Sequence, residues 1–108
     1  MIDVNEILAN PTVYDRNEVE VCGLYINGRE HRAIYSSAEE MKNYHGLWLV
    51  QEAGAAGGES SVKKLNGKKV RVVGVFHNKS HHGSGHFNAW PGEIRKITVI
   101  EERDENHT

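Results

Sequence analysis

The sequence predicts one mainly β domain whose sheet closes into a small barrel of five or six strands, with one or two short helices. Three observations predict this fold. Several segments have the β-branched and apolar composition of strands, and turn signals separate them. Two of the strands carry a glycine at the same relative position. The chain has 108 residues, and a chain of about this length buries one core without disulfides or metal.

The first element is a short helix over residues 3–10. Asp3 is placed to cap it, with Glu6 three residues further on. Pro11 is expected to end it, because the residue before a proline avoids helical backbone angles. Its apolar residues recur at helical spacing, so the helix is expected to pack on the core.

A strand over residues 18–26 follows, and Asn27-Gly28 is a hairpin signal. The return strand is predicted over residues 29–36, and residues 37–43 form a capped helical turn or a loop. The segment 46–51 is apolar on both faces, which indicates a central, buried strand.

After a glycine-rich loop at residues 53–58, a short helical segment runs to Leu65 and ends at Asn66-Gly67. The next strand spans residues 68–76, and a polar loop rich in histidine, serine and glycine covers residues 77–85. A strand-like stretch at 86–90 and a turn at Pro91-Gly92 lead to the final strand, 93–101. Its apolar spacing slips near Arg95-Lys96, which predicts a bulge. Residues 1–100 are predicted to form the domain and 101–108 an acidic, flexible tail.

An internal repeat supports closure of the sheet. Residues 19–25 and 70–76 share the pattern Val-x-Val-x-Gly-x-aromatic. Glycine weakens a strand interior, so its recurrence at Gly23 and Gly74 indicates that both strands bend sharply there. Strands bend in this way where a small sheet curls and closes on itself. Coincidental glycines in two flat strands are the alternative.

The chain also carries a wider pattern of turns, strand glycines and a helix between the third and fourth strands. It includes residues 14–17, Gly23, 46–49, 65–70, Gly74, 85–87 and 92–94. This pattern resembles the OB-fold, in the form of small bacterial OB-like proteins of uncharacterised function. The resemblance covers most of the chain at the level of fold, and it implies no particular activity.

Charge and cysteine content restrict the function classes. The formal net charge is -2, which argues against coating of nucleic acid through global charge. Residues 62–79 nevertheless carry six basic side chains and no acid. Cys22 is the single cysteine and is expected to be a buried small hydrophobe. The sequence shows neither a signal peptide nor a membrane span, so a reducing, cytoplasmic location is expected.

The histidine loop has three interpretations. If the loop closes a hairpin, His77 and His86 face each other, and His81 or His82 offers a third ligand to a metal. The spacing matches no established zinc pattern, so no metal and no cofactor are predicted. A flexible polar loop is one alternative. A loop that recognises a ligand or partner, with Lys79 beside it, is the other, since OB-like folds bind through such loops.

The aromatic residues also have two interpretations. Nucleic-acid-binding OB domains stack bases on exposed strand aromatics in a basic groove, and Tyr25, Tyr35 and Phe76 lie on predicted strands. Alternatively, Trp48 and Phe76 belong to the core and the lysines are solvated. The residues predicted to bind a ligand or partner are His77, Lys79, His81, His82, His86, Tyr25, Tyr35 and Trp90.

No catalytic constellation is recognisable, so the protein is predicted not to be an enzyme. The leading hypothesis is a binding module that engages a protein partner. Single-stranded nucleic-acid binding is the alternative, and small-ligand or metal binding through loop 77–86 is the third. The sequence does not determine the oligomeric state, and a dimer is one of the alternatives.

Overall fold

The structure, a computed structural model, describes residues 1–28, 31–50, 62–79 and 89–103. The predicted mainly β architecture is confirmed, with three short helices among these residues where one or two were expected. In chain order the elements are β1 (Ile2–Asp3), α1 (Val4–Ala9), α2 (Pro11–Tyr14), β2 (Glu18–Gly28), β3 (His31–Tyr35), α3 (Ala38–Met41), β4 (Gly46–Leu49), β5 (Lys69–Asn78) and β6 (Gly92–Glu102).

Five of the strands form a closed barrel in the order β2-β3-β4-β6-β5, with β5 returning to β2. Neighbours are antiparallel except β4 and β6, which are parallel. Leu24 pairs with Tyr35 of β3 and also with Lys69 of β5, so β2 changes partner at this residue. β1 adds a short strand parallel to β2. This closed barrel is compatible with an OB-like fold.

The repeated pattern lies in β2 and β5, which pair with each other. Val21 is opposite Val72, and each glycine is opposite a valine of the other strand: Gly23 faces Val70, and Gly74 faces Val19. The residues that define the pattern, at positions 19, 21, 23 and 25 and at 70, 72, 74 and 76, are all on the buried face of their strands. The repeat therefore supplies the interior of one wall of the barrel.

Both repeat glycines permit close approach of neighbouring strands. A Cβ on Gly74 would lie 2.5 Å from Cγ2 of Ile94 and 2.8 Å from the backbone oxygen of Arg95. A Cβ on Gly23 would lie 3.0 Å from Cγ1 of Ile34 and still closer to the backbone oxygen of Tyr35. No side chain fits at either place without movement of the backbone.

The bulge predicted near Arg95-Lys96 is confirmed. Val73 pairs with Val99 and Val75 with Arg95, so β6 advances four residues (95 to 99) while β5 advances two (73 to 75). Lys96 takes a left-handed backbone conformation, with φ 51°. The bulge lies opposite Gly74 and bends β6 across the barrel.

The barrel interior is apolar and is covered in part by α1. Asp3 caps this helix as predicted, because its Oδ2 accepts a hydrogen bond from the backbone N–H of Asn5 at 3.0 Å. α1 ends at Ala9, and Asn10 before Pro11 is non-helical (φ -135°), as predicted; Pro11 also begins α2. The largest completely buried side chains of the interior are Tyr25, Phe76, Ile7, Ile34, Leu47, Leu49 and Ile94.

The first hairpin differs from the prediction. Asn27 and Gly28 are not its turn but the last residues of β2, paired with Arg32 and His31. Asn27 is held in the strand because its backbone N–H donates to Oδ1 of Asn66 at 2.8 Å. β3 begins at His31, whereas the return strand was predicted from residue 29; residues 29 and 30 lie outside the described residues.

Two further boundaries move. β5 continues through His77 and Asn78, so His77 belongs to a strand and not to the loop. β6 continues to Glu102, two residues beyond the predicted domain limit. The loop at 53–58 and the strand-like residues 86–88 lie outside the described residues. Within those that are described, no helix has the length and apolar character to cross a bilayer.

Candidate functional site

The outer surface of β3 and β4 carries a second apolar cluster, separate from the barrel interior. Strand alternation places Ala33 and Tyr35 of β3 outside the barrel, while Ile34 faces the interior. Across the strands, Ala33 pairs with Trp48 and Tyr35 with Gly46. We call the aromatic side chains gathered there the aromatic face: His31, Tyr35, Tyr44, Trp48 and Trp90.

Trp90 is the centre of the aromatic face and is almost completely buried. His31 and Tyr44 meet it edge to face, with ring centroids 5.2 and 5.1 Å away. Trp48 lies at 4.7 Å with its ring tilted. Edge-to-face and tilted arrangements are the favoured ones for aromatic rings, because the positive edge of one ring meets the negative face of another.

Tyr35 is completely buried, and its ring occupies the space that Gly46 leaves. A Cβ on Gly46 would lie 2.7 Å from Cε1 of Tyr35. The Tyr35 hydroxyl accepts a hydrogen bond from Nε1 of Trp90 at 2.9 Å and lies 2.7 Å from Nε2 of His31. Burial raises the pKa of Tyr35 to about 12, with the Trp90 hydrogen bond acting in the opposite direction. The hydroxyl is therefore neutral and available for hydrogen bonding at physiological pH.

Tyr44 is the most exposed ring of the aromatic face and has the least favourable backbone. Its side chain is 46 % exposed, and its φ of 54° is in the left-handed region. Bulky residues rarely occupy this region, which suits glycine or asparagine. The conformation aims the ring at Trp90 from the segment after α3. Strained residues of this kind concentrate at functional sites.

The predicted basic stretch lies outside the aromatic face, and two of its six basic side chains, Lys68 and Arg71, form ion pairs with carboxylates. Arg71 forms ion pairs with Glu20 at 3.0 Å and Glu101 at 2.8 Å. Lys68 lies 3.4 Å from Glu102. Arg71 is on β5 and Lys68 directly precedes that strand, while their partners are on β2 and β6. Arg71 and His77 are both on β5, and their separation of six residues corresponds to a distance of roughly 20 Å along the strand.

Three of the predicted site residues are aromatics that the structure buries. Tyr35 and Trp90 belong to the aromatic face, whereas Tyr25 belongs to the barrel interior. Burial raises the pKa of Tyr25, and Asn27 Nδ2 donates to its hydroxyl at 2.7 Å. None of the three rings is exposed as a platform for stacking bases. Phe76, the fourth strand aromatic considered, is interior as well.

The predicted site residues of the histidine loop are only partly described. His77 lies at the end of β5, opposite Glu93 of β6. Burial is the main cause that lowers the pKa of His77, followed by the charge of Arg95. The backbone N–H of Lys79 donates to the oxygen of Pro91. His81, His82 and His86 lie outside the described residues, so the metal and ligand hypotheses for this loop stay predictions.

Glu93 extends the outer surface from Trp48 towards His77. It pairs with Trp48 across β4 and β6 and with His77 across β6 and β5. Its side chain is 7 % exposed and forms an ion pair with Arg95. In the part of the chain that the structure describes, no three metal-ligating side chains come together.

His31, Tyr44 and Trp48 were missed as site residues. The signal for two of them was present, because His31, Ala33 and Tyr35 alternate on one strand and Gly46 and Trp48 on the next. A strand that is apolar on both faces must have its outer face covered. Tyr44 had no signal, since its role depends on a turn conformation that its residue type disfavours.

The chain matches no protein-family model and no curated protein.

Proposed function

We propose that this protein is a non-catalytic binding module whose aromatic face docks a protein partner. Tyr44 is the observation that carries the proposal. A large aromatic side chain is held in a strained backbone conformation, nearly half exposed, against the ring of Trp90. Folding gains little from such an arrangement, whereas a docking surface gains a rigid apolar anchor.

The composition of the aromatic face fits this role. Tyrosine and tryptophan are the residues most enriched at the energetic centres of protein interfaces. The partly buried Trp48 and the exposed Tyr44 pack on the buried base of Trp90 and Tyr35. The chain neighbours of Tyr44 are polar and exposed, as the rim of an interface is. They are Lys42, Asn43 and His45.

The position of the face supports the same proposal. OB-folds bind their ligands on the surface of the second and third barrel strands and in the adjoining loops. β3 and β4 are the second and third strands of this barrel in chain order, and they carry the aromatic face. An OB-like ancestry for the chain is part of the proposal, as is a reducing, cytoplasmic setting.

Single-stranded nucleic acid is the second candidate, because aromatic rings on this surface are what OB domains use for stacking. Charge argues against it. Phosphate binding needs cations along the groove, but Arg71 and Lys68 are paired with carboxylates on other strands. A protein partner is therefore the better supported ligand.

Site-specific photocross-linking tests the proposal. A benzophenone amino acid is placed at residue 44 and, as the control, at residue 13 in cells that make the chain. Val13 is 65 % exposed and lies on α2. We expect a discrete protein adduct from position 44 and none from position 13. Equal adducts from both positions, or none from position 44, would contradict the proposal.

Oligonucleotide titration separates the two candidates. We expect no binding of labelled single strands to the purified chain at low salt. Binding that weakens steeply as salt rises, and that Trp48→Ala abolishes, would instead establish the nucleic-acid function, since phosphate contacts release counterions.

A further inference from the structure

The hydrogen bonds around the Tyr35 hydroxyl fix the protonation state of His31. Indole nitrogen only donates, so the Tyr35 oxygen accepts from Trp90. Among the described residues, the hydroxyl proton of Tyr35 then has one acceptor, Nε2 of His31 at 2.7 Å. The arrangement that satisfies both of these hydrogen bonds has a neutral His31 with its own proton on Nδ1.

Protonation of His31 is incompatible with this arrangement. Imidazolium carries a proton on each ring nitrogen, so the Tyr35 oxygen would face two donors and its own proton would lose its acceptor. Tyr35 is completely buried, and a buried donor without a partner costs about 1–3 kcal/mol. The ring of Trp90, packed edge to face on His31, would be displaced together with its hydrogen bond.

Among the described residues, no charged side chain acts on His31 to offset its burial. The titratable side chains facing it among the described residues are Tyr35 on its own strand and, beyond Trp90, Tyr44, and tyrosines are neutral below about pH 9. Its neighbour Arg32 is directed to the other side of β3, where its charge acts on Tyr25. Burial lowers the pKa of His31, and no charged group of the described residues opposes this shift.

We propose that His31 is a pH-sensitive lock of the aromatic face: the neutral ring holds Tyr35 and Trp90 in place, and protonation releases them. The lock concerns the folded chain alone. Only its consequence, loss of partner binding in mild acid, rests on the proposed function.

The direction of the effect on stability follows from proton linkage. Because the pKa of His31 is lowered in the folded state, the unfolded chain binds the proton first as the pH falls. The stabilisation by neutral His31 is complete above the ordinary histidine pKa of about 6.5. It is lost progressively as the pH falls from there through the folded pKa.

Histidine ¹⁵N NMR and tryptophan fluorescence test the lock without any partner. Both tryptophans of the chain belong to the aromatic face, so tryptophan emission reports on this face alone. We expect the Nδ1–H tautomer of His31 at pH 8, a His31 titration midpoint below about 6.5, and a fluorescence transition with the same midpoint.

His31→Gln is the informative variant, because the Gln side-chain oxygen accepts a hydrogen bond but does not titrate. It should abolish the fluorescence transition, while the exposed-site control His45→Gln should retain it. An Nε2–H tautomer in the unmodified chain, or a transition that survives in His31→Gln, would overturn the proposal. None of these readouts involves a partner. The pH-sensitive lock can therefore be disproved while the cross-linking result stands, and partner binding can be disproved while the lock stands.

Discussion

The barrel interior and the aromatic face both bury large side chains, but different interactions hold them together. The interior is packed mainly with aliphatic residues and the rings of Tyr25 and Phe76, and apolar packing has no directional requirement. The aromatic face depends on one hydroxyl, two ring nitrogens and the strained backbone of Tyr44. Stability is therefore concentrated in the interior, and the aromatic face can change or adapt at a smaller energetic cost.

The largest expected effect comes from filling the space at the repeat glycines. Gly23→Val and Gly74→Val should each destabilise the protein by about 3 kcal/mol, the upper part of the range for overpacking. Even a Cβ collides with the neighbouring strand at both positions. Chemical denaturation followed by circular dichroism measures the loss.

Gly28→Ala is the matched control within β2. A Cβ at residue 28 would meet only the Cβ of His31, at 3.6 Å, an ordinary contact. We expect this variant to unfold within about 0.5 kcal/mol of the unmodified chain, as surface substitutions do. Equal losses from Gly28→Ala and Gly74→Val would mean that the close strand approach does not determine the stability of the barrel.

The interior was predictable because its determinants are local in the sequence. The glycine shared by the two repeats, which lie in β2 and β5, predicted closure of the sheet. The bulge at Arg95 and Lys96 followed from a slip in apolar spacing. Each of these signals arises within one strand, where the period of two is fixed by the backbone.

A smaller effect is expected from the hydroxyl of Tyr35. Tyr35→Phe should cost about 1–3 kcal/mol, because it leaves the N–H of the buried Trp90 without an acceptor. Tyr25→Phe is the comparison from the barrel interior. Its partner Asn27 is near the surface and can bond to water instead, so a loss under about 1 kcal/mol is expected. Thermal unfolding of the two variants should rank them in this order, and the reverse order would contradict the role given to the Tyr35 hydroxyl.

The aromatic face was less predictable because it assembles residues that are far apart in the chain. Tyr35 and Trp90, which share a hydrogen bond, are 55 residues apart. Tyr35 and Trp90 were predicted to bind a ligand or partner directly, whereas the structure makes them the buried base of the aromatic face. The histidine loop was predicted as a binding site from its composition. On the aromatic face, however, it is His31 that forms a hydrogen bond.

The smallest expected effect on stability concerns the residue most important for the proposed function. Tyr44→Gly should change the unfolding free energy by less than about 1 kcal/mol, because relief of a left-handed backbone, about 1–2 kcal/mol, offsets the lost edge-to-face contact with Trp90 and the added freedom of the unfolded chain. The neighbouring His45→Gly has no left-handed backbone to relieve and should cost about 0.5–1 kcal/mol. If Tyr44→Gly were instead to lose over about 2 kcal/mol, a range reached by buried core truncations, Tyr44 would serve the fold, and its exposure would not indicate a partner.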